Sequence, residues 1–462
     1  MNATFVDQRI TIIGMAREGT ALARFLSKGG ARVTVSDTRG IADLAEEIGQ
    51  LAGLPIQAVL RGHPDDILEA DVMFVSPGVP REIPILQKAQ HRGLPISSES
   101  ELLFQLCPAP IIGITGSSGK TTTTTLIGEM MKVDRRRKIW VGGNIGRPLI
   151  EHVEEIKPHD WVVLELSSFQ LEHLPCSPHV AVITNLRPNH LDRHPTYESY
   201  KQAKANILRY QSADDVAVLN WDDPEVRALA SVTEARVRWF SSKELLDEGT
   251  FVEKGWIVSR HGGVSERVMP VSQLALPGDH NLENVLAAIS VVTATGLRSS
   301  SAARVAEKFQ GVPHRLELVR EYKGVRWIND SIATSPDRTL AALSAIPDAP
   351  IILLAGGRDK HLPMEEMARE VVQRVKHLIT FGESGSLIQQ VVATTRAQMN
   401  GSGRDLPTTA CATLEEAVAR AHALSEAGDV VLLSPSGTSF DAFKDYEVRG
   451  ERFRELAMAL RG

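Results

Sequence analysis

Cysteine is scarce in this chain of 462 residues, which contains only three. Cys107, Cys176 and Cys411 lie far apart along the sequence, without the spacing of metal ligands. An odd number of scattered thiols argues against a disulfide framework and against a zinc site. We therefore expect reduced cysteines that behave as small buried hydrophobic residues.

Long apolar runs are also missing, and no stretch approaches the length that spans a bilayer. The first seven residues include one aspartate and no lysine or arginine, unlike a secretory leader. We therefore expect a cytoplasmic protein without membrane insertion.

A strong excess of positive charge is absent as well, since the net charge is -6. This balance argues against a protein that wraps nucleic acid, and we interpret the one basic run, 135–138, as a solvated helix end or loop. An anionic substrate would therefore need local positive charge.

The pattern that is present predicts an α/β protein. Short β-branched runs alternate with segments of helical period from end to end, which is typical of parallel sheets. The length and the breaks near residues 108–110 and 311–313 predict three domains. We expect a Rossmann-like N-terminal domain over 1–107, a central P-loop-type ATPase domain over 108–311 and a Rossmann-like C-terminal domain over 312–462.

The segment TGSSGKTT, residues 115–122, follows the apolar run 110–114 as a phosphate loop follows a strand. Its glycines let backbone N–H groups face phosphate oxygens at the positive end of a helix. Lys120 can reach the β- and γ-phosphates, and the Thr121 hydroxyl can bind Mg²⁺. A standard loop would have glycine at Ile114, so this loop is two residues shorter; the alternative is a Gly/Ser turn before an ordinary helix. The predicted ATP-binding residues here are Gly116, Ser117, Ser118, Gly119, Lys120, Thr121 and Thr122.

The first domain opens with a strand, then Gly14, Gly19, a helix and a second strand that ends at Asp37, 18 residues beyond Gly19. An acidic residue at such a position often binds a ribose hydroxyl. The segment lacks the three-glycine fingerprint, so a mononucleotide sugar fits better than a dinucleotide. A purely structural βαβ unit is the alternative.

Two strands of the central domain place chemically active residues at their carboxyl ends, where open α/β sheets bind ligands. The predicted strand 161–166 carries Glu165, a carboxylate that can hold a phosphate-bound metal ion. The predicted strand 179–186 leads to His190, for which a metal-ligand role stands against a structural one.

Lys204 lies in a predicted helix over 197–210, on the same face as Tyr200, Ile207 and Leu208. One explanation is that its aliphatic stem lies along this face while the amine reaches water. The other is that apolar neighbours favour the neutral, nucleophilic amine, which could react with CO₂ to give a carbamate that binds metal.

The third domain begins with a predicted hairpin, 317–322 and 325–329, and again places polar residues at strand ends. Arg315 suits a developing phosphate charge, and Lys360 or the region of Ser439 suits a substrate carboxylate. Each of these could equally be a surface residue.

Several motifs, distributed over nearly the whole chain, together resemble the Mur ligases, the ATP-dependent amino-acid-adding enzymes of bacterial cell-wall precursor synthesis. The motifs are TGSSGKTT, SSFQ after Glu165, NHLDRH at 189–194, Lys204, LPGDHNLEN at 276–284, PHR at 313–315 and NDS at 329–331. Within this family, VSPGVP at 75–80 and SFDAFKDYEVRG at 439–450 resemble the branch that adds D-glutamate to UDP-N-acetylmuramoyl-L-alanine.

The resemblance implies ATP, two Mg²⁺ ions and a carbamylated Lys204, with Lys120, His190 and Lys204 as catalytic residues. The implied metal ligands are Thr121, Glu165, His190 and Lys204. The implied nucleotide contacts outside the phosphate loop are Asn281, Asn284, Arg315 and Asp330. The implied substrate contacts are Asp37, Thr38, Arg39, Ser76, Gly78, Asn144 and Gln170 for the muramoyl substrate, and Thr334, Lys360, Ser439, Phe440 and Tyr446 for glutamate. A monomer without a nucleic-acid partner is expected.

The chain departs from the family pattern at Ser118, where asparagine is frequent, at Asn189, where aspartate is common, and at Ile332, where some members have lysine. The last departure removes a charge near the nucleotide and glutamate side.

The implied reaction is formation of an acyl phosphate followed by formation of an amide. The alternatives are a folylpolyglutamate-synthase-like ligase, a ligase for a later stem residue, a regulatory ATPase and a Rossmann dehydrogenase. The sequence does not distinguish D- from L-glutamate.

Overall fold

Three separate sheets organise the chain, as expected for three α/β domains. The computed structural model describes residues 5–146, 148–189, 193–276, 278–347, 349–360, 362–399 and 406–461. It forms two compact units, one ending at Phe309 and the other beginning at Gln310. The first unit holds two sheets and the second unit holds one. The domain limits at 107/108 and 311/312 stay predictions.

The first sheet is parallel throughout, in the order β3-β2-β1-β4-β5. Its strands are β1 Arg9–Ile13, β2 Arg32–Asp37, β3 Ile56–Leu60, β4 Val72–Val75 and β5 Ile96–Ser97. Its helices are α1 Arg17–Lys28, α2 Ala45–Leu51, α3 Pro84–His91 and α4 Glu99–Leu106. This is the Rossmann-like arrangement predicted for the N-terminal domain.

The second sheet has the order β14-β13-β12-β11-β10-β9-β6-β8-β7. It is parallel from β7 to β12, and β12 to β14 add an antiparallel extension. Its strands are β6 Ile111–Thr115, β7 Ile139–Gly143, β8 Trp161–Glu165, β9 Val180–Ile183, β10 Val216–Asn220, β11 Arg236–Ser241, β12 Gly249–Glu253, β13 Trp256–His261 and β14 Val264–Pro270. Its helices are α5 Lys120–Met131, α6 Ser168–Leu171, α7 Tyr197–Arg209, α8 Pro224–Ala228, α9 Asp279–Ala294 and α10 Ser299–Ala306.

The third sheet has the order β15-β16-β20-β17-β18-β19, with β15 antiparallel and the other pairs parallel. Its strands are β15 Glu317–Tyr322, β16 Val325–Asn329, β17 Ile351–Gly356, β18 Val375–Phe381, β19 Thr408–Ala410 and β20 Val430–Ser436. Its helices are α11 Pro336–Ser344, α12 Glu365–Arg374, α13 Gly385–Gln398, α14 Leu414–Leu424 and α15 Tyr446–Ala459. The predicted hairpin is confirmed as β15 and β16.

The central strands β6, β8 and β9 are buried along most of their length, because helices cover both faces of the sheet. β6 lies between β8 and β9, so the carboxyl ends of all three strands meet at one edge. That edge carries the phosphate loop and Glu165, as the sequence predicted.

The three thiols are free, and all three are partly rather than completely buried, so the expectation of buried cysteines holds only in part. Over the residues that the structure describes, no helix combines the length and the apolar character needed to cross a membrane.

Candidate functional site

The phosphate loop connects β6 to α5 and depends on its two glycines. Gly116 and Gly119 have backbone φ angles of +149° and +78°, which residues with a side chain rarely adopt. A Cβ atom on Gly116 would collide with the Thr184 hydroxyl, and one on Gly119 would collide with the Asn284 side chain. The loop is therefore packed too closely for any other residue at either position.

Side chains and backbone from neighbouring segments fix the loop. The backbone N–H of Ser117 donates to the Asn185 carbonyl at 2.9 Å, and that of Ser118 donates to the Asn185 side-chain oxygen at 2.9 Å. The Thr184 hydroxyl donates to the Ser118 carbonyl at 2.7 Å. Contacts within the protein thus hold the loop in a defined shape.

Lys120 begins α5, and its side chain folds back over the loop. Its Nζ donates to the carbonyls of Gly116 at 2.9 Å and Ser117 at 3.4 Å. The ammonium group therefore lies above the loop, beside the positive end of α5, where an anion would be stabilised.

Glu165 lies at the end of β8, with 2% of its surface exposed. Its Oε1 accepts a hydrogen bond of 2.9 Å from the Asn144 amide. Its Oε2 is buried and has no hydrogen-bond partner among the described residues. A buried acceptor left open beside a phosphate loop fits a metal ligand, because carboxylate oxygen is a preferred ligand of Mg²⁺.

Lys204, on α7, has only 1% of its surface exposed, so the interpretation in which its amine reaches water was wrong. Its Nζ donates to the Thr115 hydroxyl at 3.1 Å and lies 4.9 Å from the centre of the Tyr200 ring. Burial lowers the pKa of this amine well below its usual value, and the positive charge of Lys120 lowers the pKa further. The negative charge of Glu165 raises the pKa, but by less than the other two effects lower it. The site therefore favours the neutral, nucleophilic form.

The described residues contain no cluster of three or more His, Cys, Asp or Glu side chains that could hold a metal ion unaided. The predicted ligand set does not depend on such a cluster, because it includes a hydroxyl and a modified lysine. His190, its fourth member, lies outside the described residues.

A cavity of about 640 Å³ lies between the first and second sheets, within the size range of small-molecule sites. It brings together seven residues that the sequence analysis assigned to a site. They are Asp37, Arg39, Ser76, Gly78, Lys120, Asn144 and Lys204. Lys120, which follows the phosphate loop, and the first four of these residues, all in the first domain, therefore line one cavity.

Asp37 is tied into its own domain. Its carboxylate accepts hydrogen bonds from the backbone N–H of Met15 at 2.8 Å and from the Arg39 backbone and guanidinium at 2.9–3.0 Å. Burial opposes the charge, but these donors outweigh burial and lower the pKa of Asp37 to about 2. Thr38, next in sequence, is exposed and does not line the cavity.

Gln170 and Asn284 are buried and do not line the cavity. Gln170 is buried and is hydrogen-bonded to Ser167 and Glu18, two residues that do line the cavity. Asn284 is buried beneath the phosphate loop and accepts from the Thr123 hydroxyl at 3.2 Å. The Asn284 side-chain amide nitrogen donates to the Asn281 side-chain oxygen at 3.5 Å.

The cavity is also lined by residues that the sequence analysis did not assign to a site. Among them are Arg17, Glu18, Phe169 and Tyr200. Tyr200 was recognised only as part of a helix face, and its hydroxyl lies 3.0 Å from that of Ser117. Arg17 and Glu18 lie between Gly14 and Gly19. In the sequence, the only indication that this segment was unusual was that it lacks the three-glycine fingerprint.

The second compact unit carries its predicted residues at the ends of β16, β17 and β20. Asp330 is buried and accepts from the Leu316 N–H at 3.1 Å and the Ser434 hydroxyl at 3.0 Å. Burial raises the pKa of Asp330 to about 7. Lys360 donates to the Thr334 hydroxyl at 3.2 Å, so these two predicted glutamate contacts are neighbours.

The remaining predicted residues of this unit differ in exposure. Ser439 is buried, whereas Phe440 is 39% exposed. Tyr446 begins α15, and Arg315 lies in the turn before β15. Buried Arg449, which was not predicted, donates to the carbonyls of Ser331, Gly437 and Thr438 and so joins two of these loops.

Models of three protein families match successive parts of the chain. The Mur ligase MurD-like N-terminal domain matches residues 8–98, the Mur ligase middle domain matches 114–292, and the glutamate ligase domain of Mur ligases matches 314–437. The three matches correspond to the three sheets.

Full-length relatives are similar over almost the whole chain. The UDP-N-acetylmuramoylalanine--D-glutamate ligase of Symbiobacterium thermophilum is 44% identical over 460 residues, covering 98% of this chain and 99% of the relative. The protein of the same name from Acetivibrio thermocellus is 42% identical over 455 residues, covering 98% and 97%.

Among solved structures, UDP-N-acetylmuramate-alanine ligase from Thermotoga maritima aligns with a TM-score of 0.54 at 20% identity, over 98% of this chain and 99% of that chain. At this identity the likeness concerns the fold.

Proposed function

The chain belongs to the Mur ligase family, and on this premise we propose that it joins D-glutamate to UDP-N-acetylmuramoyl-L-alanine, using ATP and releasing ADP and phosphate. The cavity between the first and second sheets carries the proposal, because it unites Asp37 and Ser76 of the first domain with Lys120 and Lys204 of the second. A substrate with a nucleotide at one end and a reacting carboxylate at the other suits this arrangement. A cytoplasmic monomer is part of the proposal.

The carboxylate must be activated, because it is too weak an electrophile to react with an amine. In the proposed reaction a carboxylate oxygen attacks the γ-phosphorus of ATP, and the bond from that phosphorus to the ADP oxygen breaks. The Lys120 ammonium, which lies over the loop, neutralises charge that develops on the phosphoryl oxygens. The glutamate amine then attacks the acyl carbon, and phosphate leaves as the amide forms.

Two Mg²⁺ ions would supply further neutralisation of the phosphate oxygens. We propose Thr121 and Glu165 as protein ligands of one ion, and His190 with carbamylated Lys204 as those of the other. The open Glu165 Oε2 and the buried Lys204 amine fit these roles.

Carbamylation follows from the environment of Lys204. The neutral amine attacks CO₂, a nitrogen–carbon bond forms, and the nitrogen loses a proton. A buried neutral amine is thereby replaced by an anion, which a neighbouring metal ion would stabilise.

We propose that polar residues of the second compact unit bind the incoming glutamate and part of the nucleotide. Lys360 and Thr334, already neighbours, suit a substrate carboxylate. The remaining proposed contacts for glutamate in this unit are Ser439, Phe440 and Tyr446, and its proposed contacts for the nucleotide are Arg315 and Asp330. Asn281 and Asn284, which belong to the first compact unit, are further proposed contacts for the nucleotide.

A coupled assay of ADP release tests the proposal. ADP should appear only when ATP, UDP-N-acetylmuramoyl-L-alanine and D-glutamate are all present, and L-glutamate should not replace the D form. ADP release without the muramoyl substrate would instead indicate a regulatory ATPase, and activity with a folate and L-glutamate would indicate a folylpolyglutamate-synthase-like ligase.

A further inference from the structure

Two adjacent residues of the first domain reach into the second domain. Arg17 and Glu18 form the first turn of α1, directly after the loop that follows β1. Both line the shared cavity. Their side chains contact different loops of the central domain, and both loops border the same cavity.

Arg17 contacts the loop that follows β7. Its two terminal guanidinium nitrogens donate to the carbonyls of Gly146 at 3.0 Å and Gly143 at 3.2 Å. Between these glycines lies Asn144, whose side chain lines the cavity and donates to Glu165. Arg17 therefore fixes both ends of the segment that carries Asn144.

Glu18 contacts the loop that follows β8. Its Oε1 accepts from the Gln170 side-chain amide at 2.9 Å. The oxygen of the same Gln170 amide accepts from the backbone N–H of Ser167 at 2.9 Å and from the Ser167 hydroxyl at 2.9 Å.

The orientation of Gln170 follows from these partners. A backbone N–H can only donate, so the amide atom that faces Ser167 is the oxygen, and the amide nitrogen faces Glu18. Glu18 is thus the acceptor that completes the network, and its removal would leave a buried N–H₂ group without this partner. A glutamine at position 18 could still accept with its own oxygen.

We propose that Arg17 and Glu18 are positioning residues that hold two segments, the loop 143–146 and the start of α6 at 167–170, in the conformation that presents the acceptor carboxylate to the phosphate loop. The inference rests on the proposed function for its kinetic consequence but not for its structural one. Neither residue needs to touch the reacting atoms.

Hydrogen exchange tests the structural part without any assumption about the reaction. In Arg17→Leu, backbone amides of 143–146 should exchange at least fivefold faster than in the unmodified protein, and in Glu18→Ala those of 167–170 should do so. Glu18→Gln should restore slow exchange. Glu69→Ala, which removes an exposed glutamate of the same domain, is the matched control and should change neither loop. Unchanged exchange in both loops would overturn the inference.

Steady-state kinetics tests the consequence for the reaction. We expect Glu18→Ala and Arg17→Leu to raise KM for the muramoyl substrate about tenfold, with kcat and KM for ATP within about twofold of the unmodified enzyme. In the combined Glu18→Ala, Gln170→Ala variant, the second substitution should add little, because Glu18 acts through Gln170. Equal effects on both KM values, or full additivity, would contradict this role.

Failure of the proposed function can be distinguished from failure of the positioning role. An unmodified enzyme without ligase activity would refute the proposed function, while the exchange data would still decide whether Arg17 and Glu18 hold the loops. An active enzyme whose Glu18→Ala variant keeps its KM for the muramoyl substrate would refute the positioning role alone.

Discussion

The Lys204 amine donates a hydrogen bond of 3.1 Å to the Thr115 hydroxyl, which itself donates to the Leu166 carbonyl at 2.8 Å. Thr115 is the last residue of β6, directly before the phosphate loop. The hydroxyl therefore ties the buried amine to the site where a triphosphate would bind.

The first prediction concerns carbamylation of Lys204. The neutral amine is favoured by burial, so incubation with ¹³C-bicarbonate should give a carbamate signal in the NMR spectrum of the active enzyme. Lys204→Ala should abolish the signal and lower kcat at least a hundredfold, because a proposed metal ligand is lost. Lys201→Ala, on the same helix, should keep the signal. An active enzyme without the signal would exclude the carbamate.

The second prediction concerns Lys120. Lys120→Met should lower kcat about 10²–10³-fold, because it removes a charge that we expect to stabilise the phosphoryl group in the transition state. KM for the muramoyl substrate should change little. Lys132→Met, just beyond the same helix and exposed, should behave like the unmodified enzyme. A Lys120→Met variant with normal kcat would show that the loop does not serve the reaction.

The third prediction concerns the close approach at Gly119. Gly119→Ala should lower Tm and prevent ATP binding, because the new Cβ meets the Asn284 side chain in addition to the strain of a positive φ. Gly53→Ala is a matched control, since Gly53 has a φ of +81° but open space around it. Only the strain of the left-handed conformation, about 1–2 kcal/mol, should appear there. Calorimetry measures the Tm of both variants, and titration measures their affinity for ATP. Equal changes in the two variants would mean that the contact with Asn284 is unimportant.

The sequence predicted the position of the phosphate loop, between a strand and a helix, better than the end of the neighbouring strand. The β-branched and apolar run to Leu186 predicted a strand as far as that residue, but β9 ends at Ile183. The Thr184 N–H still donates to the Thr115 carbonyl of β6, but the Asn185 carbonyl accepts from Ser117, so from Asn185 onward the backbone pairs with the phosphate loop rather than with a strand. Local propensity does not reveal this competition, because the partners lie more than 60 residues away.

The spacing of residues along the sequence did not predict the contacts between the first and the central domain. Glu18 and Gln170 are 152 residues apart, and only the fold brings their side chains together. Asp37, which the sequence analysis predicted as a substrate contact, lines the cavity, but its hydrogen bonds to Met15 and Arg39 were not predicted. Motifs indicate what a loop can bind, whereas the partners that hold the loop depend on tertiary packing.

The fourth prediction concerns the buried pair Glu18 and Glu99. Burial raises the pKa of Glu99 to about 8, and the negative charge of Glu18 contributes to this rise. Burial also raises the pKa of Glu18 to about 7, although the positive charge of Arg17 lowers it. Because these values lie above the unfolded value of about 4.5, the folded state binds protons more tightly. The stability contributed by the pair is full below pH 4.5 and is lost as the pH rises to about 8.

Glu99→Gln should remove part of this dependence, because the amide stays neutral. One unit of pKa corresponds to about 1.4 kcal/mol, so the Tm of the variant relative to the unmodified protein should rise by several degrees between pH 5 and pH 8. Glu69→Gln, on the surface, should follow the unmodified protein. A constant difference in Tm across this range would argue that Glu99 is already ionised in the fold.

The most direct measurement follows the acceptor's own oxygen. UDP-N-acetylmuramoyl-L-alanine labelled with ¹⁸O in both carboxylate oxygens is incubated with ATP, Mg²⁺, D-glutamate and the enzyme, and the products are analysed by mass spectrometry. We expect the muramoyl product to gain one glutamyl residue and to keep one ¹⁸O in its new amide, while the released phosphate contains the other. Unlabelled phosphate, or a muramoyl substrate that gains no glutamate, would contradict activation of the carboxylate as an acyl phosphate.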